Sequence, residues 1–322
     1  MRALLIINPH ATSMSGRTVE RVVRELRADL ELDTVQTRYR GHARELAAAA
    51  EDYGLVVPLG GDGTVNEVVN GLMDGGTGLI GAGGGPMDGD GAGPAIAPVP
   101  GGGANVFART LGLPTDPVRA ARQITAAVGA GRSRVIGLGL ASTGAIDRYF
   151  MFSAGLGVDA EVVADVERLR ARGQRESPPL FVLTALRRYY AATDRRLPAL
   201  ALEADGLDPA GDLFMAVVTN SAPWTYLGNR PVRPAPRNDF CSGLDLFALR
   251  RLRTLSTLSV LWQMMRPRAR MVSGQDVVSA TRLTGLLFKA SRPVAFHIDG
   301  EYLGEIEKVA FRHTPNAIRV IA

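Results

Sequence analysis

Residues 60–64 are the part of the chain best suited to chemistry. They read Gly-Gly-Asp-Gly-Thr. They stand between the apolar run 55–59 and a segment whose apolar residues recur at helical spacing. Glycine lets the backbone approach a ligand and permits positive φ. The start of a helix offers unpaired N–H groups and partial positive charge to an anion. The pattern therefore predicts a phosphate site, and its predicted residues are Gly60, Gly61, Gly63 and Thr64.

Asp62 is the unusual member of this segment, because it puts a carboxylate where an anion is expected to bind. A metal ion or a reacting hydroxyl between the carboxylate and a phosphate would explain it. The alternative is an ordinary tight turn between a strand and a helix.

Two further polar loops follow predicted strands. The first, residues 8–17, carries three hydroxyl side chains and ends on Arg17; the second, residues 100–109, begins Pro-Gly-Gly-Gly-Ala-Asn. Because ligands of open parallel sheets bind at the carboxyl ends of the strands, three such loops predict one shared site. Neither a dinucleotide fingerprint nor a Walker A loop is present. For the first loop, a polar turn with an ordinary helix cap is the alternative.

The elements that position these loops alternate between strand and helix. The strands are predicted at 3–7, 35–39, 55–59 and 95–99, and the helices at 17–30, 43–53, 65–71 and 117–128, the last with Asp116 as N-cap. This order predicts an α/β domain with a mostly parallel sheet over residues 1–134. The glycine-rich stretch 75–93 is interpreted as a mobile surface loop.

The second part of the chain, residues 135–316, is predicted to be a β-rich, sandwich-like domain. Its strands are predicted at 135–141, 148–154, 200–204, 213–219, 244–249, 294–298 and 309–312, and its helices at 159–172, 179–193 and 255–266. The closing strand 317–322 is expected to return to the first domain. The helix 255–266 has two interpretations, an interfacial helix or a core helix with a solvated basic end.

The composition narrows the range of functions. The hydrophobic share of 46% and the charged share of 21% are typical of a folded globular protein. The net charge of +5 favours acidic partners such as nucleotides or an anionic membrane surface, while the aromatic content of 6% argues against nucleic acid. Cys241 is the only cysteine and no apolar stretch is long enough to span a bilayer. We therefore expect a cytoplasmic protein that contacts the inner face of the cell membrane peripherally.

The motifs together resemble the diacylglycerol kinase catalytic domain, in particular the bacterial soluble lipid kinases of this type. The resemblance rests on Asn8-Pro9, on residues 60–64 with Glu67, on 100–109, on 153–161 and on Asp299-Gly300-Glu301. It covers almost the whole chain in the family's order, and it implies the two-domain fold shared by NAD kinases and diacylglycerol kinases.

This resemblance implies an ATP-dependent, Mg²⁺-requiring kinase that phosphorylates the free hydroxyl of diacylglycerol or a related lipid. It makes Glu301 the general base, places Asp62 beside the γ-phosphate, and makes Asp62 and Asp245 the metal ligands. The residues that it implies for nucleotide binding are Asn8, Thr12, Arg17, Gly60, Gly61, Gly63, Thr64, Glu67, Gly102, Gly103 and Asn105. A homodimer is left open as the assembly.

Departures from the family pattern and alternative interpretations accompany this resemblance. Val106 stands where many family members have an acidic residue, and Cys241-Ser242-Gly243 replaces a paired acidic stretch before the strand at 244. The Asp-Gly pair at 299–300 is also a common hairpin turn, and His297 is interpreted as a structural strand histidine. The alternative functions are an NAD kinase-like phosphotransferase and a non-catalytic nucleotide-binding regulator.

Overall fold

A computed structural model describes residues 1–11, 14–76, 93–172, 184, 197–235, 238–266 and 270–322. The chain divides into two compact units. The α/β unit comprises Met1–Leu138 and Pro315–Ala322, and the β-rich unit comprises Gly139–Thr314. The predicted helix 179–193, apart from residue 184, and nearly all of the predicted mobile loop 75–93 lie outside the described residues.

The α/β unit alternates strands and helices along the chain. Its elements are β1 (Arg2–Ile7), α1 (Gly16–Arg27), β2 (Glu31–Gln36), α2 (His42–Ala48), β3 (Leu55–Gly60), α3 (Asp62–Asp74), β4 (Ala95–Ile96), β5 (Val99–Pro100), α4 (Val106–Thr110) and α5 (Pro117–Gly129). The predicted cap of α5 is present: the Asp116 side chain accepts a hydrogen bond from the N–H of Arg119, and Pro117 begins the helix.

The sheet of this unit is parallel, as predicted. β1 lies between β2 and β3, and β3 also pairs with β4 and β5, always in the parallel sense. Residues at the end of the last strand, β17 (Glu301–Val320), add one more parallel pairing, Val320 beside Ile96. Strands buried on both faces have near-continuous apolar sequences, and all six residues of β3 are buried.

Three predicted boundaries in this unit are wrong. β2 lies at 31–36 instead of 35–39, since its polar residues suit an edge strand that pairs with β1 alone among the described strands. The predicted strand 95–99 is two short strands, because Pro98 has no N–H to give to the ladder. α2 ends at Ala48 instead of 53, where successive turns bring the chain to β3.

The β-rich unit holds most of the strands. Its elements are β6 (Arg134–Ser142, which begins in the α/β unit), β7 (Asp147–Phe150), β8 (Ser153–Gly157), α6 (Val158–Ala171), β9 (Leu200–Glu203), β10 (Ala210–Leu213), β11 (Met215–Thr219), β12 (Thr225–Leu227), β13 (Arg230–Val232), β14 (Leu244–Leu249), α7 (Thr254–Met264), β15 (Val277–Leu283), β16 (Gly285–Ile298) and most of β17. The predicted strands 148–154 and 213–219 are each divided between two elements, and β12, β13 and β15 were not predicted.

The strand pairings of this unit are antiparallel. β8 lies between β11 and β16, β11 continues to β14 and β15, and β16 pairs with β17 and β9. Buried phenylalanines fill the core between these strands, with Phe150 and Phe288 meeting Phe311 edge-on. A β-rich second part is therefore confirmed.

The packing of α3 on α2 generates a stability prediction. A Cβ on Gly71 would collide with the backbone carbonyl oxygen of Arg44, and backbone cannot move aside as a side chain can. We expect Gly71→Ala to lower the free energy of unfolding by about 2 kcal/mol through overpacking. Urea denaturation checks this, with Gly129→Ala as the control, since a Cβ on Gly129 meets open space. Equal midpoints for the two variants would contradict the close contact between the helices.

Candidate functional site

The loops after β1 and β3 are joined by the side chain of Asn8. Its Nδ2 donates to Thr64 Oγ1 at 2.9 Å, and its backbone N–H donates to the carbonyl of Leu59 at 3.0 Å. Its Oδ1 accepts the N–H of His10, which closes the first loop. Two of the predicted site residues, Asn8 and Thr64, are thus brought into direct contact.

The loops after β3 and β5 pack backbone against backbone. The N–H of Gly101 donates to the carbonyl of Gly60 at 2.7 Å. A Cβ added to Gly102 would lie 2.7 Å from the Cα of Gly61, closer than real Cβ contacts allow. Gly102 is therefore required by the contact between the two turns, whereas a Cβ on Gly61 would be tight, at 3.3 Å from the Cα of Gly102. The freedom of glycine to adopt positive φ is not used at these positions, because Gly61 has a φ of −86° and Gly63 lies within α3.

The Asp62 carboxylate has backbone partners that the sequence did not reveal. Its Oδ2 accepts the N–H of Val106 at 2.9 Å, and its Oδ1 accepts the N–H of Phe107 at 3.1 Å. Both donors belong to the first turn of α4, where a negative charge is favoured by the helix dipole. The unusual carboxylate of the Gly-Gly-Asp-Gly-Thr segment therefore ties the start of α3 to the start of α4.

Asn105 closes the third loop on itself. Its backbone is left-handed, with φ and ψ both 47°, a conformation that Asn tolerates better than most residues. Its side chain accepts the N–H of Gly102 at 2.8 Å and donates to the carbonyl of the same residue at 2.7 Å. Gly103 is exposed in this turn. The amide of Asn105 thus shapes the loop.

The first turn of α3 remains available to an anion. An α-helix cannot pair its first N–H groups internally, and the N–H of Val65 is the one that reaches back to Gly61. The N–H groups of Gly63 and Thr64 precede it. Apart from its chain neighbours and its own helix backbone, no described atom lies within 4 Å of the place that a Cβ on Gly63 would take, so the described part of the chain leaves this side of the turn open.

Three predicted nucleotide-binding residues stand apart from these contacts. Arg17 is exposed in the first turn of α1, a helix capped by Ser15, and Thr12 lies outside the described residues. The Glu67 carboxylate accepts two backbone N–H groups at the start of α2, at 2.9 and 3.2 Å. The structure therefore assigns Glu67 to the joining of α3 and α2.

In the β-rich unit, Asp299 and Gly300 form the two-residue turn between β16 and β17. Both have positive φ, 47° and 77°, as a tight hairpin turn of Asp-Gly requires. The hairpin alternative is therefore correct, and the turn has a further function. The Asp299 carboxylate accepts three successive backbone N–H groups, from residues 151 to 153, at 2.8, 3.0 and 3.0 Å.

Glu301 follows this turn and forms an ion pair with Arg148. Its Oε2 lies 2.5 Å from an Nη of Arg148, and each side chain is only 14% exposed. Removing one partner from so enclosed a pair leaves an uncompensated charge. Sequence reasoning missed Arg148, although an arginine at the start of an apolar strand segment was the available signal.

A second enclosed pair lies close to the same hairpin. His297 Nε2 is 2.6 Å from Asp159 Oδ2, and the two side chains are 2% and 5% exposed. A Cβ on Gly155 would collide with both side chains, so β8 needs glycine there. The pair joins the start of α6 to β16, the strand that leads into the hairpin, which is the structural position expected for His297.

Asp245 does not lie in a metal-binding cluster. Across the described residues, no three His, Cys, Asp or Glu side chains are grouped so that they could hold a metal ion. The Asp245 carboxyl is 4% exposed and accepts the N–H of Arg282 at 3.1 Å. Burial raises its pKa to about 6. The structure thus gives no support to Asp245 as a metal ligand.

Comparison with known proteins finds a family model that matches the first part of the chain. Residues 2–135 match the model of the diacylglycerol kinase catalytic domain. A diacylglycerol kinase of Bacillus subtilis (strain 168) is 28% identical over 319 residues, 94% of this chain and 90% of that protein. A diacylglycerol kinase of Staphylococcus carnosus (strain TM300) is 33% identical over 123 residues, 37% of this chain and 35% of its own length.

Solved structures share the fold of this kinase family. The crystal structure of a diacylglycerol kinase from Bacillus anthracis str. Sterne aligns with a TM-score of 0.70 at 19% identity, covering 99% of this chain and 96% of that one. An NAD kinase from Archaeoglobus fulgidus in complex with ATP aligns with a TM-score of 0.53 at 12% identity, covering 100% and 94%. At these identities the likeness shows the fold alone, and it confirms the predicted fold class.

The raised pKa of Asp245 predicts a pH dependence of stability. Between the unfolded value of 3.8 and the folded value of about 6, the folded chain binds more protons, so stability falls as pH rises through this window. Asp245→Asn keeps the acceptor for Arg282 and removes the charge. We expect its gain in unfolding free energy over wild type to be larger at pH 7.5 than at pH 4.5, by about 2 kcal/mol.

Denaturant titrations at the two pH values measure this difference. A Tm that Mg²⁺ raises in wild type and leaves unchanged in Asp245→Asn would contradict this account of Asp245 as a buried carboxyl without a metal, because the residue would then be a metal ligand.

Proposed function

We propose that the chain transfers the γ-phosphoryl group of ATP to the free hydroxyl of diacylglycerol or a related lipid alcohol. The match of residues 2–135 to the diacylglycerol kinase catalytic domain supports a lipid kinase, and the curated relatives carry the name diacylglycerol kinase. The observation that carries the proposal is the three loops at the carboxyl ends of β1, β3 and β5, which hydrogen bonds join into one assembly. A site of this kind suits nucleotide phosphates.

The residues of this assembly are suited to binding a nucleoside triphosphate. The N–H groups of Gly63 and Thr64 lie at the positive end of α3, with open space above Gly63. The structure of an NAD kinase in complex with ATP has the same fold. Asp62 is the carboxylate of the assembly, and carboxylate oxygens are ligands that Mg²⁺ prefers in proteins. It would therefore hold Mg²⁺, which supplies neutralisation of phosphate charge in phosphoryl transfer.

Glu301 would act as the general base. An ionised carboxylate can accept the proton of a lipid hydroxyl while the hydroxyl oxygen forms its bond to the γ-phosphorus, the bond to the bridging oxygen breaks, and ADP leaves. Arg148 holds the carboxylate in one orientation. Asp299 positions it indirectly, because the hairpin that this residue anchors delivers Glu301 at the first position of β17.

An NAD kinase-like activity is the second candidate, and the shared fold favours it. The two activities differ in the acceptor. Incubation of the protein with Mg²⁺ and γ-labelled ATP, together with either a total lipid extract or NAD, separates them. We expect the label in an organic-soluble phospholipid; label in the dinucleotide fraction would establish the second candidate. Nucleotide binding without transfer to either acceptor would indicate a regulator.

The open space above Gly63 predicts a variant that loses nucleotide and keeps its fold. A Cβ at this position meets no protein atom but would occupy the place proposed for a phosphate. We expect Gly63→Ala to weaken ATP binding at least tenfold, with stability equal to or above wild type because alanine favours the helix. Isothermal titration calorimetry with ATP measures the affinity. Gly129→Ala, which also adds a Cβ to open space at a helix end, is the matched control. If both variants bind ATP as wild type does, the phosphates do not lie on α3.

The base assignment predicts a selective loss of turnover. Glu301→Gln keeps the size of the side chain and a donor–acceptor pair near Arg148 but removes the proton acceptor. We expect the turnover rate to fall by a factor of at least 10², with ATP affinity preserved. Glu305→Gln is the matched control, since Glu305 is an exposed carboxylate on the same strand. A Glu301→Gln variant with normal turnover, or one that loses ATP binding, would remove this residue from the base role.

A further inference from the structure

Helix α7 exposes its apolar side chains. The face is formed by residues at helical spacing, which are Leu255, Leu258, Leu261, Trp262 and Met265, and their exposed fractions are 83%, 52%, 40%, 56% and 38%. We call these five side chains the α7 surface. Isolated exposed apolar residues are ordinary, but a contiguous exposed set indicates an interaction site.

The opposite face of α7 is anchored to the β-rich unit. Val260 and Met264 are buried in a cluster that includes Phe247 and Leu249. The side-chain amide of Gln263 exchanges two hydrogen bonds with the backbone of Ser273. The helix is therefore fixed in place with its second apolar face outward. The prediction of a core helix is wrong for this outward face.

The charged residues of the sequence stretch that contains α7 are all basic. Between Asp245 and Asp276 the sequence contains six arginines and no acidic residue. The described arginines of this stretch are all exposed, and they are Arg250, Arg251, Arg253, Arg266 and Arg270. The guanidinium of Arg266 lies 3.7 Å from the centroid of the Trp262 ring, which places a cation directly over the aromatic part of the surface.

We propose that the α7 surface docks on an anionic lipid bilayer. Apolar side chains framed by arginine are the composition of helices that lie in the membrane interface. Tryptophan and tyrosine are enriched at that depth, and each basic residue near anionic lipid adds attraction. None of the described helices has the length and apolar character to cross a bilayer, so the contact would be peripheral.

A second copy of the chain is a less suitable occupant. Pairing two α7 surfaces would bring two sets of arginines together with no acidic residue of the 246–275 stretch between them, and like charges oppose such a contact. A bilayer rich in anionic headgroups offers the complementary charge over the whole surface.

The inference deepens the proposed function, because docking would bring the chain to a lipid acceptor, but its test needs no turnover. The full chain is sedimented with phosphatidylcholine vesicles, with or without phosphatidylglycerol. We expect binding to the anionic vesicles, weaker binding to neutral ones, and loss of binding in high salt. Leu258→Glu should weaken binding at least tenfold. Ile146→Glu is the matched control, since Ile146 is 49% exposed in the same unit but lies in the β6–β7 turn.

A fluorescence readout keeps the test independent of folding defects in the charged variant. Trp224 and Trp262 are the two tryptophans of the chain, so Trp224→Phe leaves Trp262 as the sole reporter. Its emission should shift to the blue on anionic vesicles. An unshifted emission, equal binding by wild type and Leu258→Glu, or a dimer in solution that Leu258→Glu dissociates would overturn the proposal. Vesicle binding that persists in a chain unable to transfer phosphate would count against the proposed function and leave docking standing.

Discussion

The Asp62 carboxylate and the two N–H groups of α4 form the interaction on which the α/β site depends. The residues concerned are 44 and 45 positions apart, and the bonds hold the turn after β3 against the turn after β5. That approach is close enough to exclude a Cβ at Gly102 and to crowd one at Gly61. Because the charge of Asp62 is directed at α4, the start of α3 keeps its own N–H groups for another anion.

The β-rich unit also contains an aspartate that accepts hydrogen bonds from distant backbone N–H groups. Asp299 accepts three backbone N–H groups from the segment between β7 and β8, as Asp62 accepts two from α4. In both motifs an Asp-Gly pair contains an aspartate that anchors distant backbone. The neighbouring position is then available for chemistry: Gly63 borders open space, and Glu301 is held by Arg148. The motif aspartates therefore stabilise the positions of groups that we propose to act on phosphate and on the lipid hydroxyl.

The sequence predicted what local patterns determine. The parallel order of the first strands, the Asp116 cap and the β-rich second part follow from periodicity and capping chemistry, and all three are present. β2 was misplaced because an edge strand tolerates polar residues, which obscures its pattern. The partners of Asp62, Glu67 and Glu301 lie between 24 and 153 positions away. Such contacts depend on tertiary structure, so residue types alone identified a site without showing what each side chain contacts.

The most direct test of this account is a crystal structure of the chain with a non-hydrolysable ATP analogue and Mg²⁺. The account predicts phosphate oxygens within hydrogen-bonding distance of the N–H groups of Gly63 and Thr64, with the bonds from Val106 and Phe107 to Asp62 intact. Phosphates bound away from the first turn of α3 would contradict the account. So would a loop after β5 that moves away from Asp62 when the phosphates bind.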